Sequence, residues 1–261
     1  MSDRDVTALL RFAEELADAS RAILAGALAA APKVEIKPDR SPVTALDKAV
    51  EERLRAMIEL RYPTHGIRGE EFGTRNGGAE HLWVLDPIDG TGPFIAGIPV
   101  FGTLIGLARA GKPLAGVADH PVTRERWSGA AGQPSLRNGQ PVRTRRDASL
   151  AVAMLSSSSP DFYAPAEWQR FRALRRQVSW AVYGGSCYAY MQLASGRIDL
   201  AVDCGMDVYD ILPLVPIIEG AGGLVTDWAG RPVDLEWQGS VLAAGDPALH
   251  AQALAILGGQ D

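Results

Sequence analysis

Apolar positions recur near helical spacing over residues 5–30, where Val6, Leu9, Leu10, Ala13, Leu16, Ala17, Ile23 and Leu24 fall together and Pro32 closes the run. A second helix is expected over 43–60 from Leu46, Val50, Leu54, Met57 and Ile58, with Pro63 and Gly66 breaking the chain behind it. The pattern then shortens to strands. Residues 81–85 form a brief apolar run, 100–108 and 114–119 flank Gly111-Lys112 as a hairpin, and 124–130 reads as a further strand. Residues 132–141 are rich in turn formers and mark a junction between two halves, 1–140 and 141–261. Beyond it the pattern predicts strands over 150–156, 198–202 and 241–244. Helices are expected over 167–176, 186–195, 209–221 and 248–257, with Gly196 and Gly222-Gly223 closing the second and third. There is no internal repeat and no low-complexity linker. An antiparallel-leaning first half followed by alternating strands and helices is a mixed α/β (α+β) pattern.

Composition narrows the function classes. The 261 residues are 47% hydrophobic and 22% charged, an ordinary globular balance with enough chain for a large core. A formal net charge of -5 gives no reason to expect nucleic acid or an anionic membrane as partner. The early Ala-rich stretch over 22–31 is far shorter than the roughly 20 residues a membrane span needs. MSDRD does not read as the start of an export signal. Cys187 and Cys204 make neither a disulfide framework nor a zinc site and read as small buried hydrophobes. Together these features predict a cytoplasmic protein.

Acidic residues carry the candidate chemistry. Asp86-Pro87-Ile88-Asp89-Gly90-Thr91 follows directly on an apolar strand. Two carboxylates and the carbonyl of Ile88 are hard oxygen ligands suited to magnesium or manganese rather than zinc or copper. Pro87 fixes the turn, Gly90 lets backbone approach a ligand, and the N–H groups after Asp89 suit a phosphate. By spacing alone the same segment reads equally well as a solvated acidic turn. Glu70, between glycines in GEEFG, is either a ligand or part of an exposed loop. Asp210 heads an apolar helix, where a carboxylate also serves as a cap. Asp47 is otherwise a surface helical residue. His65, His81, His120 and His250 lie outside these segments and read as surface or packing residues.

Taken in order, SPVTALD ending at Asp47, GEEFG around Glu70, WVLDPIDGT over 83–91 and YDILPLVPIIEGAGG from Tyr209 resemble the motifs of the inositol monophosphatase family of magnesium-dependent, lithium-sensitive phosphatases. The resemblance spans most of the chain. It implies a layered α/β/α/β/α sandwich of the inositol monophosphatase and fructose-1,6-bisphosphatase type, with the active site between the two halves. It further implies a first metal on Glu70, Asp86 and the Ile88 carbonyl and a second on Asp86, Asp89 and Asp210. Glu70 would also help to hold a third ion through water, giving two to three Mg2+ per site with Mn2+ as a substitute. Gly90 and Thr91 would bind the phosphate, and Thr91, oriented by Asp47, would help to deprotonate the attacking water. Lys37 matches a basic residue near the site in such proteins. A homodimer is implied as well.

FIAGIPVFGTLIGL, HPVTRERWSGA, YGGSCYAY and LASGRIDLAVD are closer to the histidinol-phosphate phosphatase branch than to the inositol branch. The expected reaction is hydrolysis of L-histidinol phosphate; the alternatives are inositol 1-phosphate or a broader set of sugar phosphates, then nucleotide 3′-phosphates and bisphosphates. A regulatory binding protein without activity is the contrasting reading, although such a protein has no need of the four carboxylates. Three departures bear on substrate choice. Ser186 replaces an Asp suited to the substrate amine, Asp207 stands where a Lys is usual, and Gly92-Pro93 replaces a polar pair. Tyr209-Asp210 also takes the place of the more common Trp-Asp. Asp203, and Asp207 with it, remain available to a substrate amine, so Ser186, Asp203 and Lys37 are the expected substrate contacts.

Overall fold

A computed structural model describes residues 3–26, 32–37 and 42–259. Helix α1 (Asp3–Ala25) is followed by a small hairpin of β1 (Val34–Ile36) and β2 (Pro42–Thr44), and then by α2 (Ala45–Arg61). Strands β3 (Gly66–Gly69), β4 (Gly73–Arg75) and β5 (His81–Asp89) lead through the short helix α3 (Thr91–Ala96) into β6 (Gly102–Arg109), β7 (Lys112–His120) and β8 (Glu125–Ala130). Two-residue strands β9 (Leu136–Arg137) and β10 (Gln140–Pro141) complete an eight-stranded sheet in the order β10-β9-β8-β7-β6-β5-β3-β4, counted over the described residues.

The second part contains β11 (Met154–Ser157), α4 (Pro165–Arg175), β12 (Trp180–Tyr183), α5 (Ser186–Ala194) and β13 (Leu200–Met206). It continues with α6 (Val208–Ile211), a 3-10 turn (Leu212–Leu214), α7 (Val215–Gly220), β14 (Leu224–Thr226), β15 (Gly239–Ala244) and α8 (Pro247–Leu257). The described strands form a five-stranded sheet ordered β12-β11-β13-β15-β14.

Apolar faces sort these elements into the expected α/β/α/β/α layers. Leu9, Leu16, Val50, Leu54 and Ile58 press α1 and α2 onto one face of the large sheet. Helices α5, α6 and α7 fill the space between the two sheets, with Tyr190, Leu193, Ile211, Leu212 and Ile218 buried there. Phe171, Leu174, Leu249, Ala253 and Leu257 hold α4 and α8 to the outer face of the small sheet. Every layer therefore buries the stripe its sequence supplies.

Several elements differ from the sequence expectation. The first helix ends at Ala25, and positions 27–30 of the expected run lie outside the described residues, as does Ser41 of the SPVTALD segment. The helix expected over 209–221 is cut into α6, a 3-10 turn and α7, because Pro213 and Pro216 remove two amide donors. Residues 132–141 hold a hairpin about Asn138-Gly139, both with positive φ (49° and 76°), so part of the stretch is the edge of the large sheet.

Candidate active site

Strand β5 delivers two of the acidic residues. Positions three apart on a regular strand face opposite ways, so Asp86 and Asp89 ought to diverge. The pairing of β5 with β6 shifts between them: Asp86 lies opposite Leu104 and Asp89 opposite Gly102. That bulge inserts one extra residue on β5 and returns both carboxylates to one side. Thr103 Oγ1 donates to the Pro87 carbonyl at 2.8 Å and so satisfies a bulged peptide group, with Ser20 Oγ 2.6 Å from the same hydroxyl. Gly90 then turns the chain at φ 79°, and a Cβ there would sit 2.9 Å from Ser186 Oγ.

Glu70 arrives by a different route. Strand β3 runs parallel to β5 with Gly69 opposite Leu85, which places Glu70 level with Asp86; the Glu70 N–H donates to the Leu85 carbonyl at 3.2 Å. Buried Glu51 on α2 holds the turn behind it, accepting the Glu71 N–H at 2.7 Å, the Phe72 N–H at 3.2 Å and Arg55 Nε at 2.7 Å. Lys37 donates to Glu70 at 2.9 Å and to Glu71 at 2.7 Å.

Asp210 comes from the middle layer. Gly106, Gly116 and Gly129 stand opposite one another across β6, β7 and β8 and form a groove without side chains. Pro213 occupies it so closely that a Cβ on Gly116 would lie 1.8 Å from the Pro213 carbonyl oxygen. Seating Leu212–Leu214 there brings α6 against β5, and carboxylate oxygens of Asp86, Asp89 and Asp210 fall within 4.8 Å of one another.

Three carboxylates at that separation repel strongly. Burial, then Glu70, Asp89 and Asp210, raises the pKa of Asp86; burial and Asp89 do the same to Asp210, and burial raises that of Asp89 against the opposing Cys187 N–H. Glu70 is pushed up to about 7, again chiefly by burial. Asp86 Oδ1 is buried without a hydrogen-bond partner. A divalent cation removes this conflict, because it favours the ionised forms that burial and mutual repulsion disfavour. The donors are all oxygens, as hard cations prefer.

The cluster opens into a cavity of about 530 Å3 whose wall includes Glu70, Asp89, Gly90, Thr91 and Asp210. Thr91 Oγ1 donates to the Ile88 carbonyl at 3.1 Å. Asp47 accepts the Thr44 N–H at 2.8 Å and the Thr44 hydroxyl at 2.6 Å through Oδ2, while its buried Oδ1 has no partner. Of the expected substrate contacts, Lys37 and Ser186 line the cavity and Asp203 does not. The Asp203 carboxylate is buried and accepts from Ser157 Oγ (3.1 Å), Ser158 N (2.7 Å), Ser158 Oγ (3.0 Å) and Tyr190 Oη (2.8 Å). Burial, opposed by these donors, raises its pKa to about 6. Ser158 itself lies on the cavity wall.

Three supporting groups escaped the sequence reading: Glu51, Thr103 and the Cys187 N–H, which donates to Asp89 at 2.7 Å. Only Glu51 left a signal, as an acidic residue at core spacing among Val50, Leu54 and Ile58. Both cysteines are buried and unpaired, as expected. His120 and His250 are also buried.

The family model described as "Inositol monophosphatase family" matches residues 5–259. The chain belongs to this family. The bifunctional phosphatase IMPL2, chloroplastic, of Arabidopsis thaliana is 41% identical over 98% of this chain and 77% of its own length. A histidinol-phosphatase of Chlorobaculum parvum is 33% identical over 85% of each chain. Among solved structures, an inositol monophosphatase from Zymomonas mobilis superposes with a TM-score of 0.89 at 38% identity, covering 98% of this chain and 99% of its own. Family and fold make this family member a phosphomonoesterase.

Proposed function

We propose that the family member is a magnesium-dependent phosphatase that hydrolyses L-histidinol phosphate to histidinol and phosphate, a step of histidine biosynthesis. The observation that carries the metal part is the convergence of Asp86, Asp89 and Asp210 within 4.8 Å, with Asp86 Oδ1 buried and unpaired. Glu70, Asp86, Asp89, Asp210 and the Ile88 carbonyl would hold two to three Mg2+, with Mn2+ as a substitute. Bound magnesium supplies charge neutralisation for the phosphate and the leaving oxygen and a lowered pKa for water. The chain contributes the rest. Gly90 and Thr91 start α3, where first-turn N–H groups have no intrahelical acceptor and can bind phosphate oxygens. Thr91, on the cavity wall, would take up the proton of the attacking water, and the buried, unpartnered Asp47 Oδ1 is the acceptor the family resemblance pairs with it, although Thr91 Oγ1 donates to the Ile88 carbonyl in this structure. Lys37, paired with Glu70 and Glu71, positions Glu70 at the cavity wall.

The choice of alcohol rests on the relatives named as histidinol-phosphatases and on the acidic cavity wall. The Zymomonas mobilis relative supports a second reading, inositol 1-phosphate. We place the reaction in the cytoplasm and infer a homodimer. Steady-state phosphate release from L-histidinol phosphate, inositol 1-phosphate and glycerol phosphate decides the substrate. The expected result is the highest kcat/KM for L-histidinol phosphate; equal or faster turnover of inositol 1-phosphate overturns that choice.

A further inference from the structure

The carboxylates at the reacting end of the cavity are claimed by the cation chemistry. One acidic residue on the same wall is not. Asp207 joins β13 to α6 and is exposed, lining the cavity beside Met206 and Phe162. Its position is fixed twice. The Asp207 N–H donates to Asp210 Oδ2 at 2.7 Å, which ties its backbone to the carboxylate cluster. The Tyr209 hydroxyl donates to Asp207 Oδ2 at 2.9 Å, which orients the side chain. Among the described residues, Tyr209 is the one side chain that donates to the Asp207 carboxylate.

Among the described residues lining the cavity, the one Lys or Arg is Lys37, and Glu70 and Glu71 already engage it. Asp207 therefore presents an oriented anion with a spare acceptor and no protein cation. Beside it stand apolar surfaces, including Phe162 at 51% exposure. The two positions are also departures from the pattern this chain resembles, Tyr209 for Trp and Asp207 for Lys. In the fold they are one hydrogen-bonded unit through the Tyr209 hydroxyl.

We propose that Asp207, held by Tyr209, is the specificity-determining residue that selects phosphate esters of amino alcohols by pairing with the protonated amine of the leaving group. This rests on the phosphatase reading above and goes beyond it in naming the residue that distinguishes a cationic alcohol from a neutral one. Asp203, consumed by Ser157, Ser158 and Tyr190, is instead a positioning residue for the cavity wall.

The test crosses the substrate amine with the carboxylate. kcat/KM is measured for L-histidinol phosphate and for its deaminated analogue, imidazolyl-propyl phosphate, in the unmodified protein and in Asp207→Asn, Asp207→Glu and Tyr209→Phe. The amine is expected to be worth roughly tenfold in the unmodified protein, as for a charge-assisted hydrogen bond. The ratio should approach one in Asp207→Asn, recover in Asp207→Glu and fall partway in Tyr209→Phe, which keeps the ring. Competitive inhibition by free L-histidinol should weaken by a similar factor in Asp207→Asn. A ratio unchanged in Asp207→Asn overturns the assignment while leaving the phosphatase reading intact. So does equal turnover of the two esters by the unmodified protein. Hydrolysis of inositol 1-phosphate but of neither imidazole ester overturns the substrate choice and this assignment together.

Discussion

His120 ends β7 with its ring fully inside the protein. Its Nδ1 lies 3.0 Å from the Phe101 carbonyl, and its Nε2 is buried with no partner. Trp127 and Tyr188 meet the ring edge-on at 5.5 and 4.9 Å. Burial pushes its pKa down to about 4, against an ordinary value of 6.5. The unfolded chain therefore binds the proton first, so this ring's full contribution is present above pH 6.5 and is lost as pH falls toward 4. The loss is up to about 3 kcal/mol. Urea unfolding at a series of pH values checks this: stability of the unmodified protein should fall more steeply across that window than stability of His120→Asn. Parallel slopes would contradict it. Residue identity was legible where a motif exposed it, as for Asp86 and Asp89. It was hidden where a side chain works through distant sequence. Glu51 acts on the turn at Glu71 and Thr103 on the carbonyl of Pro87, and neither partner is visible from spacing along the chain.

At the scale of elements, the long amphipathic helices α1 and α2 were readable because several turns of apolar spacing reinforce one another. Strands β1 to β4, β12 and β14 were not, since three or four residues carry too little periodicity. The bulge in β5 was equally hidden, because it depends on pairing with β6. The break between α6 and α7 was present in the sequence as Pro213 and Pro216. What the sequence could not reveal is why the broken segment sits where it does: the glycine groove across β6, β7 and β8 admits Pro213 at backbone contact. Gly116→Ala should therefore destabilise the protein by about 3 kcal/mol or more, since the new Cβ meets a carbonyl rather than a yielding side chain. It should also depress activity by shifting Asp210. Chemical denaturation and phosphate release together check both effects; a wild-type midpoint would show that the groove has slack.

For the whole molecule, the layering follows from burial. Each sheet takes helices on both faces, and the middle layer serves the two sheets at once. That shared layer is what joins carboxylates distant in sequence, with Asp86 from the large sheet, Glu70 from the turn after β3 and Asp210 from the middle helices. The family motifs made this convergence legible in outline. The cavity wall proposed to select the alcohol was less so, because Asp203 reads as a contact and lies buried, while the Tyr209 hydroxyl that orients Asp207 is visible only in the fold.

The proposed magnesium dependence rests on the carboxylate cluster of Asp86, Asp89 and Asp210. The most direct measurement is phosphate release from L-histidinol phosphate by chelator-stripped protein as Mg2+ is restored, in parallel with Asp89→Asn, with Mg2+ binding followed by calorimetry. Loss of activity on stripping, recovery with Mg2+, and an Asp89→Asn variant at least roughly a hundredfold slower with weakened Mg2+ binding are the predicted results. Full activity in the stripped protein, or an unaltered Asp89→Asn, would contradict it.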